Sequence, residues 1–341
     1  MNTKHQGGIA SPIRYSIIFR GVSRLILVTE WMNEQGIELL DHLPRPVLYD
    51  PELWADRDGL THTAQDAEAL VVRNNTRVDA ALLDLCPNLR VVGRLGVGLD
   101  NIDVDACQAR RVNVVYARGA NAIAVVEYVM GALLYAARPW QTWVEDTKSG
   151  TWRRNMGGRE VYGKTLGLVG LGDIGSRVAR AARLMGMAVR AYDPHLAPFH
   201  ALIADGTVTP VASVAELLAV SHTVTLHAPL RPDTYHMLNS ETLAHFPDDA
   251  TLINTARGGL IDENALRDRL EQGAKGSIFL DVREKEPPEL PDRLAVYPNV
   301  YLTPHLAGLT EEALARTTIL VLEDVARVLT GRPPRSPVRW R

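Results

Sequence analysis

Three short segments in the last third of the chain carry side chains suited to acid–base work on a small anion. They are Asn254-Thr255-Ala256-Arg257-Gly258-Gly259, Asp281 to Pro287, and Thr303-Pro304-His305. His305 is a candidate base, because imidazole titrates close to neutral pH. Arg257 is a candidate carboxylate ligand, because its planar fork pairs two-pronged with a carboxylate or bridges carboxylate and carbonyl. Glu286 can hydrogen-bond the imidazole, fix its tautomer and favour the imidazolium that forms when an alcohol proton leaves. A base and a cation are what hydride transfer from a 2-hydroxy acid requires. Each residue alone also suits a surface, loop or capping position. Their weight comes from occurring together, in this order, behind a nucleotide motif.

That motif is Gly170-Leu171-Gly172-Asp173-Ile174-Gly175, a G-x-G-x-x-G pattern. In a chain with 26 glycines the pattern alone is weak. Its context strengthens it, since the apolar run Thr165–Val169 precedes it and a helical pattern from Ser176 follows. The first glycine permits a tight turn, the second lets backbone approach a pyrophosphate, and the third lets helix and strand pack closely. The pyrophosphate then sits at a helix N-terminus, where unpaired N–H groups, including those of Asp173 and Ile174, favour an anion. Asp193 ends the next strand about 20 residues on, where a carboxylate accepts from ribose hydroxyls and repels the 2′-phosphate of NADP. NAD is therefore the expected cofactor. His195, nearby, reads as a solvated loop residue.

The elements that must position these groups follow from apolar runs. In the first third, Leu25–Thr29, Val47–Tyr49, Ala69–Arg73, Leu89–Arg94 and Val112–Tyr116 read as strands. In the second block, Thr165–Val169, Ala188–Tyr192, Thr223–His227, Thr251–Asn254, Ser277–Asp281 and Val300–Leu302 do so. Short buried runs separated by helical stretches indicate parallel βαβ construction, hence an α/β fold. Ala122 to Arg138 reads as one long apolar helix, buried between domains or subunits. With 341 residues and 46% hydrophobic content, two domains are expected, because single cores stop growing at roughly 250–300 residues.

A net charge of -3 and the lack of a basic stripe argue against nucleic acid. No apolar run approaches the roughly 20 residues of a membrane helix. Cys86 and Cys107 are too few for a disulfide framework and match no zinc spacing, so both read as buried apolar side chains in a reducing cytoplasm, and no metal is expected. Residues 1–23, basic and without acidic side chains, read as a disordered leader, and 331–341 as an exposed tail.

Taken together, Gly163–Gly175, Asn254–Glu263, Asp281–Pro287 and Pro304-His305 resemble the D-isomer-specific 2-hydroxyacid dehydrogenase family, over about Arg24 to Leu329. The resemblance implies that Arg257, Glu286 and His305 form that family's catalytic set. It implies further that Asp281 holds the nicotinamide carboxamide and that backbone carbonyls near Thr255 and His227 line the cofactor. It implies two doubly wound parallel-sheet domains, with a Rossmann cofactor domain (121–305) inserted into a flavodoxin-like substrate domain (24–120 and 306–330). Stereochemistry and homodimerisation through the cofactor domain, near Trp140, Trp143 and Trp152, come from the same source. In the family, the loop matching Gly96, Val97 and Gly98 offers N–H groups to the substrate carboxylate, and Asn74 lies near the substrate.

The substrate expected is a 2-hydroxy acid with a second polar or anionic group at C3, for which Arg73 is the candidate cation. Arg73–Val78 and Arg94–Asp103 look closest to phosphoglycerate dehydrogenases, although a C-terminal regulatory domain is not expected here. Ala-Gly-Leu-Thr after His305 looks more like the sulfolactate and hydroxypyruvate-type branch. An NAD(H)-sensing module of the same fold is the alternative. A formate-dehydrogenase-like activity is disfavoured by Glu286, since that branch carries Gln there.

Overall fold

The computed structural model describes residues 24–197 and 199–338. The expected leader, residues 1–23, lies outside the described residues. Contacts divide the chain into two units, one running to Asn121 and resuming at Glu311, the other spanning Ala122–Thr310. Among the described residues no single helix is long and apolar enough to cross a membrane.

The first unit contains β1 (Leu25–Val28), β2 (Val47–Tyr49), β3 (Ala67–Val72), β4 (Val91–Arg94) and β5 (Asn113–Tyr116). They form one parallel sheet in the order β2-β1-β3-β4-β5. Successive residues point to opposite faces, and both faces are apolar. Leu27, Leu70 and Val92 join one core with Leu60 and Leu82, while Ile26, Val71 and Val91 join another with Val321 and Val325. The latter two lie on the Glu311–Leu329 helix. A Cβ on Gly93 would stand 2.7 Å from Val325 Cγ2, so only glycine lets this helix close on β4. In this order the chain reverses direction between β1 and β3, which is the flavodoxin-like switch point.

The second unit contains β6 (Thr165–Val169), β7 (Ala188–Tyr192), β8 (Thr209–Pro210), β9 (Thr223–Leu226), β10 (Thr251–Asn254), β11 (Ile278–Leu280) and β12 (Val300–Leu302). Their order is β12-β11-β10-β9-β6-β7-β8, all parallel. Seven strands replace the six expected. The addition, β8, is two residues long and contains a proline, too short for any periodic signal. The Ala122–Ala137 helix packs Val125, Val129 and Leu133 into this unit's core with Leu166 and Val178, leaving Ile123 and Leu134 exposed. Both units are thus doubly wound, and the switch point of the second lies between β6 and β9.

One expectation needs correcting. The segment after Gly331 is not simply an exposed end, because Val338 N–H donates to Val114 O at 2.8 Å and Pro337 bridges Val115 on the edge of β5. The buried carboxylate of Asp324 draws it in, accepting the N–H groups of Arg335 and Ser336 at 2.8 and 2.7 Å.

Candidate active site

The glycine loop sits at the switch point of the second sheet. Gly170 has φ 89°, and a Cβ there would meet His227 O at 2.7 Å, so glycine is required on both counts. A Cβ on Gly175 would lie 2.2 Å from Gly170 O, which is the close approach of helix to strand. A Cβ on Gly172 would meet nothing within 4 Å and would project into open space. The helix Asp173–Leu184 begins on Gly172 without a side-chain cap, whereas Asp79, Asp103 and Asp262 cap theirs. Its first N–H groups, those of Asp173 and Ile174 included, therefore remain for an external acceptor.

Asp193 follows β7 and is half-buried. One carboxylate oxygen accepts Leu171 N–H and the other His195 N–H, both at 2.9 Å. Each oxygen keeps a lone pair for a ribose hydroxyl. His227 follows β9, and burial pushes its imidazole down to about 4, so it is neutral near pH 7. Thr255 Oγ1 is buried with no hydrogen-bond partner among the described residues. A loop that completes its bonding against a bound group leaves such an orphan. Free helix N–H groups, open space before Gly172 and this orphan all fit a dinucleotide.

The three acid–base segments follow adjacent strands, β10, β11 and β12. After β10, the buried Asn254 side chain shapes the loop, accepting Ala256 N–H at 3.0 Å and donating to Arg257 O at 2.9 Å. Arg257 Nη1 donates to Ala256 O at 2.7 Å. Gly258 presses against the next segment, where a Cβ would stand 1.9 Å from the Arg283 carbonyl carbon.

Arg283 is anchored by Glu263, with contacts of 2.8 and 2.9 Å, and by Asp292; these two carboxylates raise its pKa against the opposing effect of burial. Its backbone N–H donates to Glu286 Oε1 at 2.9 Å, and Glu286 Oε2 lies 2.8 Å from His305 Nδ1. The structure therefore brings Glu286 and His305 together, and ties Arg257 to them through the Gly258–Arg283 backbone contact. A second such pair joins His236 Nε2, in the segment after β9, to Glu284 Oε1 at 2.5 Å.

His305 takes the left-handed backbone, φ 55°, which a non-glycine residue adopts only when held there. Asp281 does the holding. Its carbonyl accepts His305 N–H at 2.7 Å, and its buried carboxylate accepts Leu306 N–H, Ala307 N–H and the Thr303 hydroxyl at 2.8, 2.8 and 2.6 Å. This anchoring of the histidine loop was not foreseen beside the carboxamide contact implied for Asp281.

The remaining expected residues lie in the first unit, around its own switch point. Glu30, just past β1, accepts the backbone N–H groups of Arg73, Asn74, Asn75 and Thr76 at 2.7, 3.0, 2.9 and 2.9 Å. Asn101 donates to the carbonyls of Arg73 and Thr76 at 3.1 and 2.7 Å. Asn74 Oδ1 accepts from Arg94 Nη2 at 2.6 Å, which orients Arg94.

Gly96 is engaged within its own loop. Its N–H already donates to Arg94 O at 2.8 Å, and its missing Cβ makes room for the Arg94 guanidinium, 1.3 Å from where that atom would be. Among the described residues the N–H groups of Val97 and Gly98 make no backbone or side-chain hydrogen bond.

Comparison with known proteins identifies the family. The family model described as "D-isomer specific 2-hydroxyacid dehydrogenase, NAD binding domain" matches residues 130–307. The (S)-sulfolactate dehydrogenase of Chromohalobacter salexigens is 40% identical over 90% of this chain and 99% of its own length. The D-3-phosphoglycerate dehydrogenase of Methanocaldococcus jannaschii is 38% identical over 90% of this chain, which spans only 57% of that protein. Among solved structures, the D-lactate dehydrogenase of Aquifex aeolicus, complexed with NAD and lactic acid, superposes with a TM-score of 0.79 at 27% identity, covering 90% of this chain and 96% of that one. The chain belongs to the D-isomer specific 2-hydroxyacid dehydrogenase family, and its second unit is that family's NAD-binding domain.

Proposed function

We propose that this NAD-dependent dehydrogenase interconverts a small 2-hydroxy acid and its 2-keto acid, and that the substrate carries a second anionic group at C3, as sulfolactate and 3-phosphoglycerate do. The observation that carries the C3 reading is Arg73. It stands at the switch point of the first sheet, half-buried, and among the described residues its guanidinium donates no hydrogen bond. A partly desolvated cation with unspent donors at the ligand-binding end of a sheet is a site for an anion.

NAD, when bound, accepts or supplies the hydride at C2. His305 takes the hydroxyl proton in oxidation and returns it in reduction, and Glu286 stabilises the resulting imidazolium. Arg257 pairs with the carboxylate and polarises the C2 oxygen. Val97 and Gly98 N–H groups hold the C1 carboxylate as a backbone nest. The first helix turn after Gly172 takes the diphosphate, Asp193 the adenosine ribose, and the carbonyls of Thr255 and His227 line the cofactor.

The enzyme is read as a homodimer built through the second unit, where Trp140, Trp152, Tyr162 and Leu184 are exposed, and as cytoplasmic, since both cysteines are free thiols.

Steady-state NADH oxidation with pyruvate, hydroxypyruvate, phosphohydroxypyruvate and sulfopyruvate tests the reading. The expected result is a kcat/KM at least tenfold higher for one of the two C3-anionic acids. Equal turnover of pyruvate and the charged acids contradicts it.

A further inference from the structure

The loop that carries Arg73 is held unusually firmly. Four of its N–H groups converge on Glu30 and two of its carbonyls on Asn101, so the Arg73 backbone is fixed on both sides. The long side chain is not fixed by hydrogen bonds. What it meets instead is Trp31, the residue next to Glu30, whose ring centroid lies 5.1 Å from the Arg73 guanidinium carbon. Trp31 is 49% exposed, so the edge of this ring is open to solvent.

Both residues lie just beyond β1 and β3, the two strands between which the sheet order reverses. In open α/β sheets that position is where ligands bind. The guanidinium carbon lies over the indole ring, and among the described residues none of the guanidinium N–H groups makes a hydrogen bond. Burial lowers the Arg73 pKa from its ordinary value, and the nearby Glu30 carboxylate opposes the shift. The cation is thus partly stripped of water before any ligand arrives.

We propose that Trp31 is a specificity-determining positioning residue. Its indole acts as a platform that holds the Arg73 guanidinium ready for a tetrahedral anion, sulfonate or phosphate, on C3 of the substrate. This rests on the reading of Arg73 given above. Two physical effects favour the charged substrate. A guanidinium already held in place loses less rotamer freedom on binding, and a partly desolvated one attracts an anion more strongly than a hydrated one. A neutral hydroxymethyl or methyl group at C3 gains from neither.

The test is kcat and KM for sulfopyruvate, phosphohydroxypyruvate, hydroxypyruvate and pyruvate with Trp31→Ala, Trp31→Leu, Trp31→Phe and Arg73→Met, each checked for folding by circular dichroism. For the preferred C3-anionic acid, Trp31→Ala and Trp31→Leu are expected to lower kcat/KM about 5–30-fold, chiefly through KM. For pyruvate and hydroxypyruvate the change is expected to stay within about twofold. Trp31→Phe, which keeps a π face, is expected to restore most of the discrimination. Leucine fills the site without that face, so it keeps the comparison informative if the alanine variant folds poorly. Arg73→Met separates the two claims. If it abolishes the preference while Trp31→Ala and Trp31→Leu leave the preference intact, the role of Trp31 is overturned and that of Arg73 stands. If Arg73→Met leaves the preference unchanged, the reading of Arg73 falls and the platform with it.

Discussion

Glu286 stands between two groups that it serves at once: one carboxylate oxygen lies 2.8 Å from His305 Nδ1, and the other accepts the Arg283 N–H at 2.9 Å. The second contact fixes the carboxylate so that the first can orient the imidazole. With Nδ1 committed to Glu286, Nε2 is the nitrogen that the proposed proton exchange with substrate would use. Replacing His305 by Ala should lower turnover by about 10²–10⁴, the usual worth of a general acid–base, with NADH affinity nearly intact. Glu286→Gln should lower kcat by a smaller factor, with KM for the keto acid little changed. Wild-type turnover in His305→Ala would remove the residue from the mechanism.

The glycine loop separates a binding effect from a folding effect. Gly172→Ala places a methyl in open space before the helix N-terminus, so thermal stability should hold while NADH binding weakens about tenfold or more. Gly175→Ala drives a Cβ to within 2.2 Å of Gly170 O and should destabilise the fold by about 1–3 kcal/mol. Paired melting and titration measurements check both. Equal effects of the two variants on stability would contradict the loop's assignment.

Much of this site was legible because its signals are local. A glycine triad after an apolar run, an acidic residue closing the next strand, and His, Glu and Arg beyond late strands are all readable over a few residues. The strands of the second sheet were bounded well for the same reason, since Thr165–Val169, Ala188–Tyr192, Thr251–Asn254 and Val300–Leu302 are short runs between breakers. What sequence could not show are bonds between distant side chains and backbone. Glu30 organises Arg73 from 43 positions away, and Asn101 does so from 28. Arg94 took no role in the sequence reading, because only folding brings it to Asn74 and into the space Gly96 leaves. Arg283 drew no reading from the sequence, because its pairing with Glu263 and Asp292 arises only in the fold.

Asp193 should govern cofactor choice. Asp193→Ala removes the acceptor for the ribose hydroxyls and the charge that repels a 2′-phosphate. Affinity for NADH should fall by about tenfold or more, the worth of a charge-assisted hydrogen bond, and its advantage over NADPH should narrow. Competitive binding of the two cofactors measures this, and an unchanged ratio would exclude Asp193 from the site.

His227 predicts a pH dependence of stability. Its imidazole titrates at about 4 in the folded chain against 6.5 when unperturbed. Between these values the unfolded chain takes up a proton that the folded chain refuses, so stability falls as pH falls from 6.5 towards 4. The full difference is at most about 3 kcal/mol. His227→Asn should flatten this part of a urea-unfolding profile. An identical slope in both proteins would show that His227 is not excluded from protonation.

The most direct test of the account is transfer of deuterium from NADH deuterated at C4 to the product of sulfopyruvate or phosphohydroxypyruvate reduction, followed by mass spectrometry in wild type and His305→Ala. The account predicts one deuteron at C2 of the hydroxy acid, appearing rapidly in wild type and slowed about 10²–10⁴-fold in the variant. Tight NADH binding with no deuterium in product from either acid would contradict it and point to a protein that senses the cofactor rather than using it.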